Sequence, residues 1–278
     1  MILKSKGLIG ILQGRLSRQQ KKIQQFPRNN WEKEFQLIKK LKIYNLEWTV
    51  DNYGFNTNPI NLKHKHKKIR SLCRENKINI NSVTADFFME KPFWKKKNKI
   101  YYLKKIKKLI NNCSLLNIKY IILPLVDNSS IKSLYQQKEI TQDLMKLSST
   151  LKKKKVEILF ESDFNPKKLL KFIKSFKHGL FGINYDSGNS ANLGFEVSKE
   201  FNTYGKYIRN IHIKDRLKNG PSVRLGEGDV KFIDLFQQIK KIKYKGIFIL
   251  QSARSKIKGK DTQEMHLNLK FLEKFIKV

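Results

Sequence analysis

The chain has 278 residues, 40% of them hydrophobic, enough for a sizeable core, and no run approaches the roughly 20 apolar residues of a membrane-crossing helix. It carries 59 Lys and Arg against 23 Asp and Glu, a formal charge of +36, which would suit a nucleic-acid partner only if the charge were gathered on one face and rich in Arg. Instead 50 of the 59 are Lys, spread over nearly every predicted helix, so solvated lysine faces are expected rather than a specific nucleic-acid site.

The opening MILKSKGLIGILQG is basic and then apolar. Its apolar run, Leu8–Leu12, falls short of a signal core of about 7–15 residues, and no small-residue cleavage site follows. The segment is expected to be a first strand, Gly7–Gln13. Further strands are predicted at Asn45–Val50, Ile78–Ala85, Tyr120–Leu125, Val156–Glu161, Phe181–Asp186, Ile208–Ile213 and Ile247–Gln251. They are nearly continuous apolar runs, as parallel strands buried on both faces should be. Amphipathic helices are predicted between them, at Trp31–Leu41, Leu62–Asn76, Lys97–Leu116, Ile140–Lys154, Pro166–Phe176, more weakly Phe195–Tyr204, and Phe232–Lys241, with Thr262–Lys277 closing the chain. Asn30 and Asn165-Pro166 are placed to cap two of them. Eight strand–helix repeats with no low-complexity linker predict one domain over 1–278, a (β/α)8 TIM barrel of the α/β class. Cys73 and Cys113 share no metal-like spacing and are expected in amphipathic helices as small core residues, which suits a reducing, cytoplasmic setting.

The longest non-helical stretches, Gly14–Asn30, Asp51–Asn61 and Arg216–Val230, follow strands, on the side where such barrels build their sites. Four consecutive strands end in polar side chains: Glu161, Asp186, His212 and Gln251. An isolated carboxylate or histidine at a strand end is usually solvated or structural. Four in register on successive strands make an oxygen and nitrogen shell for one divalent ion, Mn²⁺, Mg²⁺, Co²⁺ or Zn²⁺.

The segments FESD, NYDSGN, HIKD and RLGEGDV, together with GILQGRLS, IQQFP, W-x-x-EF and LEW, resemble the xylose-isomerase-like barrel superfamily of sugar and sugar-phosphate isomerases and epimerases. The resemblance runs from about Gly7 to Phe275. It implies one divalent ion in a Glu/Asp/His/Glu shell, carried over to Glu161, Asp186 and His212. The fourth position departs: ketose epimerases of the family carry Glu where this chain has Gln251. An amide can ligate through its oxygen but cannot act as a base, so two-carboxylate epimerisation is in doubt, whereas isomerisation through an enediolate needs one base, Glu161.

Around this shell, Glu47, at the end of the second strand, and Asp86, after the third, are expected to contact substrate at the rim. Gln13 and Arg15 would cover it. Arg216 and Arg224 would clamp a phosphate or carboxylate, and Gly226-Glu227-Gly228 would bring backbone N–H groups to an oxyanion. Glu157 is expected to be structural, Glu264 and His266 to lie on the surface, and His64 and His66 to point apart on a helix. Phe26, Phe55, Phe93 and Trp94, in loops, are expected either to cover the pocket or to form a homodimer face. The partner expected is a small sugar or sugar phosphate. Two other readings are a noncatalytic sugar-binding barrel and an endonuclease-IV-like repair nuclease. The nuclease needs a three-zinc cluster, for which five histidines, one of them at a strand end, are too few.

Overall fold

The structure, a computed structural model, describes residues 7–17, 24–52, 54–95, 97–176 and 179–276. Met1–Lys6, residues 18–23 of the first loop and Lys277 at the predicted end of the last helix lie outside them. The strands are β1 (Ile9–Leu12), β2 (Asn45–Thr49), β3 (Asn79–Thr84), β4 (Tyr120–Leu125), β5 (Glu157–Ser162), β6 (Phe181–Asp186), β7 (Ile208–Ile213) and β8 (Phe248–Leu250). They close into a parallel barrel in chain order, β8 pairing with β1 through Ile9↔Phe248 and with β7 through Ile249↔His212. Gln251 follows β8 by one residue and stays in the barrel wall, its N–H donating to Ile213 O at 3.0 Å.

The helices sit between the strands as predicted, with informative differences. The expected helix Ile140–Lys154 is two, Leu134–Met145 and Ser148–Lys154, the first starting earlier because Ser133 accepts from Gln136 N. Asn165 caps Pro166–Lys174 through Lys168 N, whereas Asn30 makes no side-chain cap. Two short helices, Asp86–Glu90 and Ser187–Asn192, begin directly after β3 and β6. Leu62–Asn76 resolves into a 3₁₀ turn, Lys63–Lys65, and the helix His66–Asn76, on which His66 is buried and His64 exposed. Lys42, Lys77, Lys155 and Lys243, all exposed, adopt left-handed backbone (φ 53 to 57°) where helices turn back toward β2, β3, β5 and β8.

The large core lies between the barrel wall and the helices. Trp48 of β2 is fully buried with its ring centroid 5.5 Å from both Phe26 and Trp31, and Phe160 of β5 stands 5.0 Å from Phe172 and from Phe176. Such aromatic contacts supply much of the burial energy, about 1.5–3 kcal/mol for each fully buried large apolar side chain. Phe26, Phe55, Phe93 and Trp94 belong to this core, none more than 4% exposed, which corrects the expectation that they form a dimer face or a pocket cover. Phe55, for example, packs on Phe87 at 4.9 Å. Cys113 is buried and Cys73 half-buried, both unpaired thiols, and burial pushes the Cys73 thiol up to about 11.

Candidate metal centre and its cleft

The barrel strands are not uniformly apolar. Alternation along each strand sends one set of side chains to the helices and the other to the axis. On β2 the axial set includes Glu47, on β3 Ser82, on β6 Asn184 and Asp186, and on β7 Asn210 and His212; of these, Glu47, Ser82, Asn184, Asn210 and His212 are joined by hydrogen bonds. Glu47 has no exposed surface. Its Oε2 accepts from Ser82 Oγ at 2.7 Å and Asn210 Nδ2 at 3.1 Å, and its Oε1 lies 2.7 Å from His212 Nε2. Glu47 therefore lies beneath the site and does not reach a rim, correcting the expectation that it touches substrate.

Above this layer, one ligand atom from each of Glu161, Asp186 and His212 lies within 4.8 Å of the others, and all three residues are buried. With its proton on Nε2 toward Glu47, the imidazole presents the Nδ1 lone pair to the centre. Nδ1 is 3.1 Å from Glu161 Oε2 and 3.9 Å from Asp186 Oδ2. The Asn184 amide nitrogen stands between these two acceptors, 2.8 Å from Glu161 Oε2 and 3.1 Å from His212 Nδ1. Burial alone would lower the His212 pKa, but Glu47 and Glu161 outweigh it and hold the imidazole well above its usual value.

Each acid is held by local structure. Asp186 caps the short helix Ser187–Asn192: its Oδ1 accepts from Asn189 N at 2.7 Å. Its other oxygen, Oδ2, is buried without a hydrogen-bond donor among the described residues, the Lys214 ammonium standing 3.5 Å away. Glu161 accepts from Asn184 Nδ2 and Asn189 Nδ2, each at 2.8 Å. Gln251 donates from Nε2 to Gln24 Oε1 at 3.0 Å, while its buried Oε1 has no donor among the described residues. Asp186 Oδ2, lacking a hydrogen-bond donor, together with the neighbouring Glu161 carboxylate and His212 imidazole fits a divalent ion of the Mn²⁺, Mg²⁺, Co²⁺ or Zn²⁺ kind, and Gln251, with its unsatisfied Oε1, lines the same cleft as Glu161.

A cleft of about 480 Å³ opens over these groups, with Glu161, Gln251, Asp86, Lys214 and Arg216 among its lining. Asp86 accepts from Gln24 Nε2 at 2.5 Å and from Thr84 Oγ1 at 3.2 Å. Burial, offset in part by the Gln24 hydrogen bond and reinforced by Glu161, pushes its carboxyl up to about 7. Lys214 Nζ and Arg216 Nη1 both donate to Asn189 Oδ1, at 3.1 and 3.2 Å. Arg15 is buried nearby, and burial with the neighbouring Arg254 lowers its guanidinium to about 9.

Other expected site residues lie elsewhere. Arg224 forms a bidentate pair with Glu264 at 2.6 and 2.9 Å, so it braces the seventh loop against the last helix rather than reaching the cleft. Gln13 is 1% exposed and its Oε1 accepts from Thr49 N at 3.2 Å, joining β1 to β2 instead of covering a ligand. The N–H groups of Gly226 and Gly228 donate to Asp215 Oδ2 at 2.8 and 3.0 Å, so the glycine loop cradles the chain's own carboxylate and not a bound oxyanion. A Cβ on Gly228 would fall 2.2 Å from Asp215 Oδ1, which accounts for that glycine. Glu157 pairs with Lys119 at 3.5 Å at the start of β5, and His266 is exposed. Sequence reasoning passed over Asn184, Asn210, Ser82, Lys214 and Gln24. The polar–apolar alternation in Asn45-Leu46-Glu47-Trp48-Thr49 and Asn210-Ile211-His212-Ile213 was the available signal for the axial set.

Residues 35–275 match the family model described as xylose isomerase-like TIM barrel. An uncharacterised protein of Methanocaldococcus jannaschii, MJ1311, is 27% identical over 111 residues, a match spanning 37% of this chain and 37% of that protein. Among solved structures, the chain superposes on a xylose isomerase domain protein from Planctomyces limnophilus with a TM-score of 0.75 and 16% identity, covering 97% of this chain and 96% of that one. It superposes on the IOLI protein with a bound zinc atom at a TM-score of 0.75 and 15% identity, over 96% and 97% of the two chains. For D-psicose 3-epimerase with D-tagatose from Clostridium cellulolyticum H10 the TM-score is 0.73 at 12% identity, over 97% and 99%. With most of its length matched by that model, the chain belongs to the xylose isomerase-like TIM barrel family.

Proposed function

We propose that this protein is a divalent-metal-dependent isomerase or epimerase of a small sugar, sugar phosphate or related keto-polyol, working in the cytoplasm as one domain. The observation that carries the reading is the meeting of Glu161, Asp186 and His212 ligand atoms within 4.8 Å under an open cleft. The solved IOLI structure with zinc and the epimerase structure with D-tagatose are consistent with it. Glu161, Asp186, His212 through Nδ1 and Gln251 through Oε1 would hold the ion. A divalent ion there supplies positive charge for the oxyanion of an enediolate.

The chain's own residues do the rest. Glu161, oriented through both oxygens by Asn184 and Asn189, is the base that removes the proton α to the substrate carbonyl. Gln251 cannot return a proton to the opposite face, so the reading favours isomerisation with one base over symmetric epimerisation. Lys214, Arg216 and Asp86 line the cleft and would contact hydroxyl or phosphate groups of the substrate.

The test is metal content of the purified protein together with deuterium exchange from solvent into a panel of C3–C6 ketoses and their phosphates with Mn²⁺. Exchange should depend on metal and fall about 100-fold or more in Glu161→Gln. Stoichiometric metal and sugar binding without exchange would select a noncatalytic sugar-binding barrel instead. Nicking of abasic DNA would select a nuclease.

A further inference from the structure

We propose that Arg15 and Asp86, acting through Gln24, lock the Gln251 amide with its oxygen toward the metal position, so that Gln251 is a built ligand. The inference rests on the metal site proposed above. An amide has two ends of nearly the same shape, and only the oxygen can bind a hard cation. A glutamine that replaces a carboxylate ligand therefore needs something to decide which end faces inward.

Gln24 makes that decision. On one side stands Asp86, whose Oδ2 accepts from Gln24 Nε2 at 2.5 Å. On the other stands Arg15, a donor without acceptor capacity, whose Nη2 reaches Gln24 Oε1 at 3.5 Å. Because Arg15 can only donate, the Gln24 amide has one favourable orientation, oxygen to Arg15 and nitrogen to Asp86. That oxygen also receives Gln251 Nε2 at 3.0 Å. With its nitrogen engaged, Gln251 has only its oxygen left for the interior, and that buried oxygen lacks a donor among the described residues. A carboxylate at position 251 would instead set an oxygen against Gln24 Oε1. The first loop and the start of the Asp86–Glu90 helix are thus matched to an amide after β8, and the departure from the family's Glu is accommodated by neighbours from two other parts of the chain.

The experiment measures Mn²⁺ affinity by calorimetry on the full-length protein for wild type, Gln24→Met, Gln251→Glu and the double variant, with circular dichroism to establish that each folds. Gln24→Met keeps the length and loses both polar ends. In the wild-type background it should weaken Mn²⁺ binding about 10-fold, the scale of lost outer-shell orientation. In the Gln251→Glu background, where both ends of the side chain are oxygen, it should cost nothing or improve binding. Asp86→Leu should show the same dependence on background, superimposed on a uniform loss from its charge. An unchanged affinity in Gln24→Met, or an equal loss in both backgrounds, overturns the proposal, since a purely structural Gln24 would not couple to residue 251. Wild type that binds Mn²⁺ and loses it in Glu161→Gln while Gln24→Met is neutral sinks this inference alone. Folded wild type that binds no Mn²⁺ sinks the metal site along with it.

Discussion

Glu47 and His212 show how much of this site is decided by residues that no ligand touches. The 2.7 Å contact from His212 Nε2 to Glu47 Oε1 fixes the ring's tautomer and rotation and makes Nδ1 a better electron donor. Replacing Glu47 with Gln keeps an acceptor for the imidazole proton and removes the charge behind it. Mn²⁺ affinity is expected to fall about 10- to 100-fold with the fold retained; calorimetry on the variant checks this, and an affinity equal to wild type would mean that His212 is oriented by Asn184 alone. The contrast between Glu47 and Arg224 is instructive. Both are charged residues that the sequence suggested would face the cleft. One proved to be sealed in the barrel axis and the other turned to Glu264, because the partner that decides a charged side chain's direction lies 165 and 40 residues away.

Among elements, the first loop and the helix after it are tied by a single carboxylate. Glu34, in the first turn of Trp31–Lys40, accepts from Gly14 N at 2.8 Å, Leu16 N at 3.2 Å and Ser17 Oγ at 2.7 Å. This explains why the motif W-x-x-EF accompanies GILQGRLS: the glutamate clasps the loop that the other motif forms. Burial raises the Glu34 carboxyl from 4.5 to about 7 against those hydrogen bonds. The folded state therefore holds the proton more tightly than the unfolded chain, and the associated stability, complete below pH 4.5, is lost as pH rises through 7. Glu34→Gln has no such titration. Denaturant unfolding of the two proteins across this range should show wild type losing stability relative to the variant as pH rises; a constant difference would refute the buried, raised carboxyl. The alternating strands and helices were legible in the sequence because local periodicity encodes them. So were the strand-end residues Glu161, Asp186, His212 and Gln251, since chain order alone puts them on neighbouring strands of a closed sheet. The break between Met145 and Ser148, the two short helices after β3 and β6, and the burial of Phe26, Phe55, Phe93 and Trp94 were not. Each depends on what packs against the segment from elsewhere in the chain, as Phe55 on Phe87 does.

Across the whole molecule, the +36 charge is carried mostly by lysines, while the cluster beneath the cleft gathers acids, amides and one imidazole. No helix among the described residues is long and apolar enough to cross a membrane. The surplus of lysine has reached the backbone as well. Lys42, Lys77, Lys155 and Lys243 occupy left-handed corners that glycine fills with less strain, each at an entry into the barrel. Every such lysine costs the native state about 1 kcal/mol, part of which glycine would return as extra freedom of the unfolded chain. The protein thus holds an unused thermal reserve at four surface positions on the loops that enter the barrel strands. Converting all four to glycine should raise the melting temperature by roughly 4–8 °C, equivalent to about 2 kcal/mol, while four alanines, which shed the same charge but keep Cβ, should not. Equal melting points for the two sets would trace any gain to relief of charge repulsion, and not to the corners.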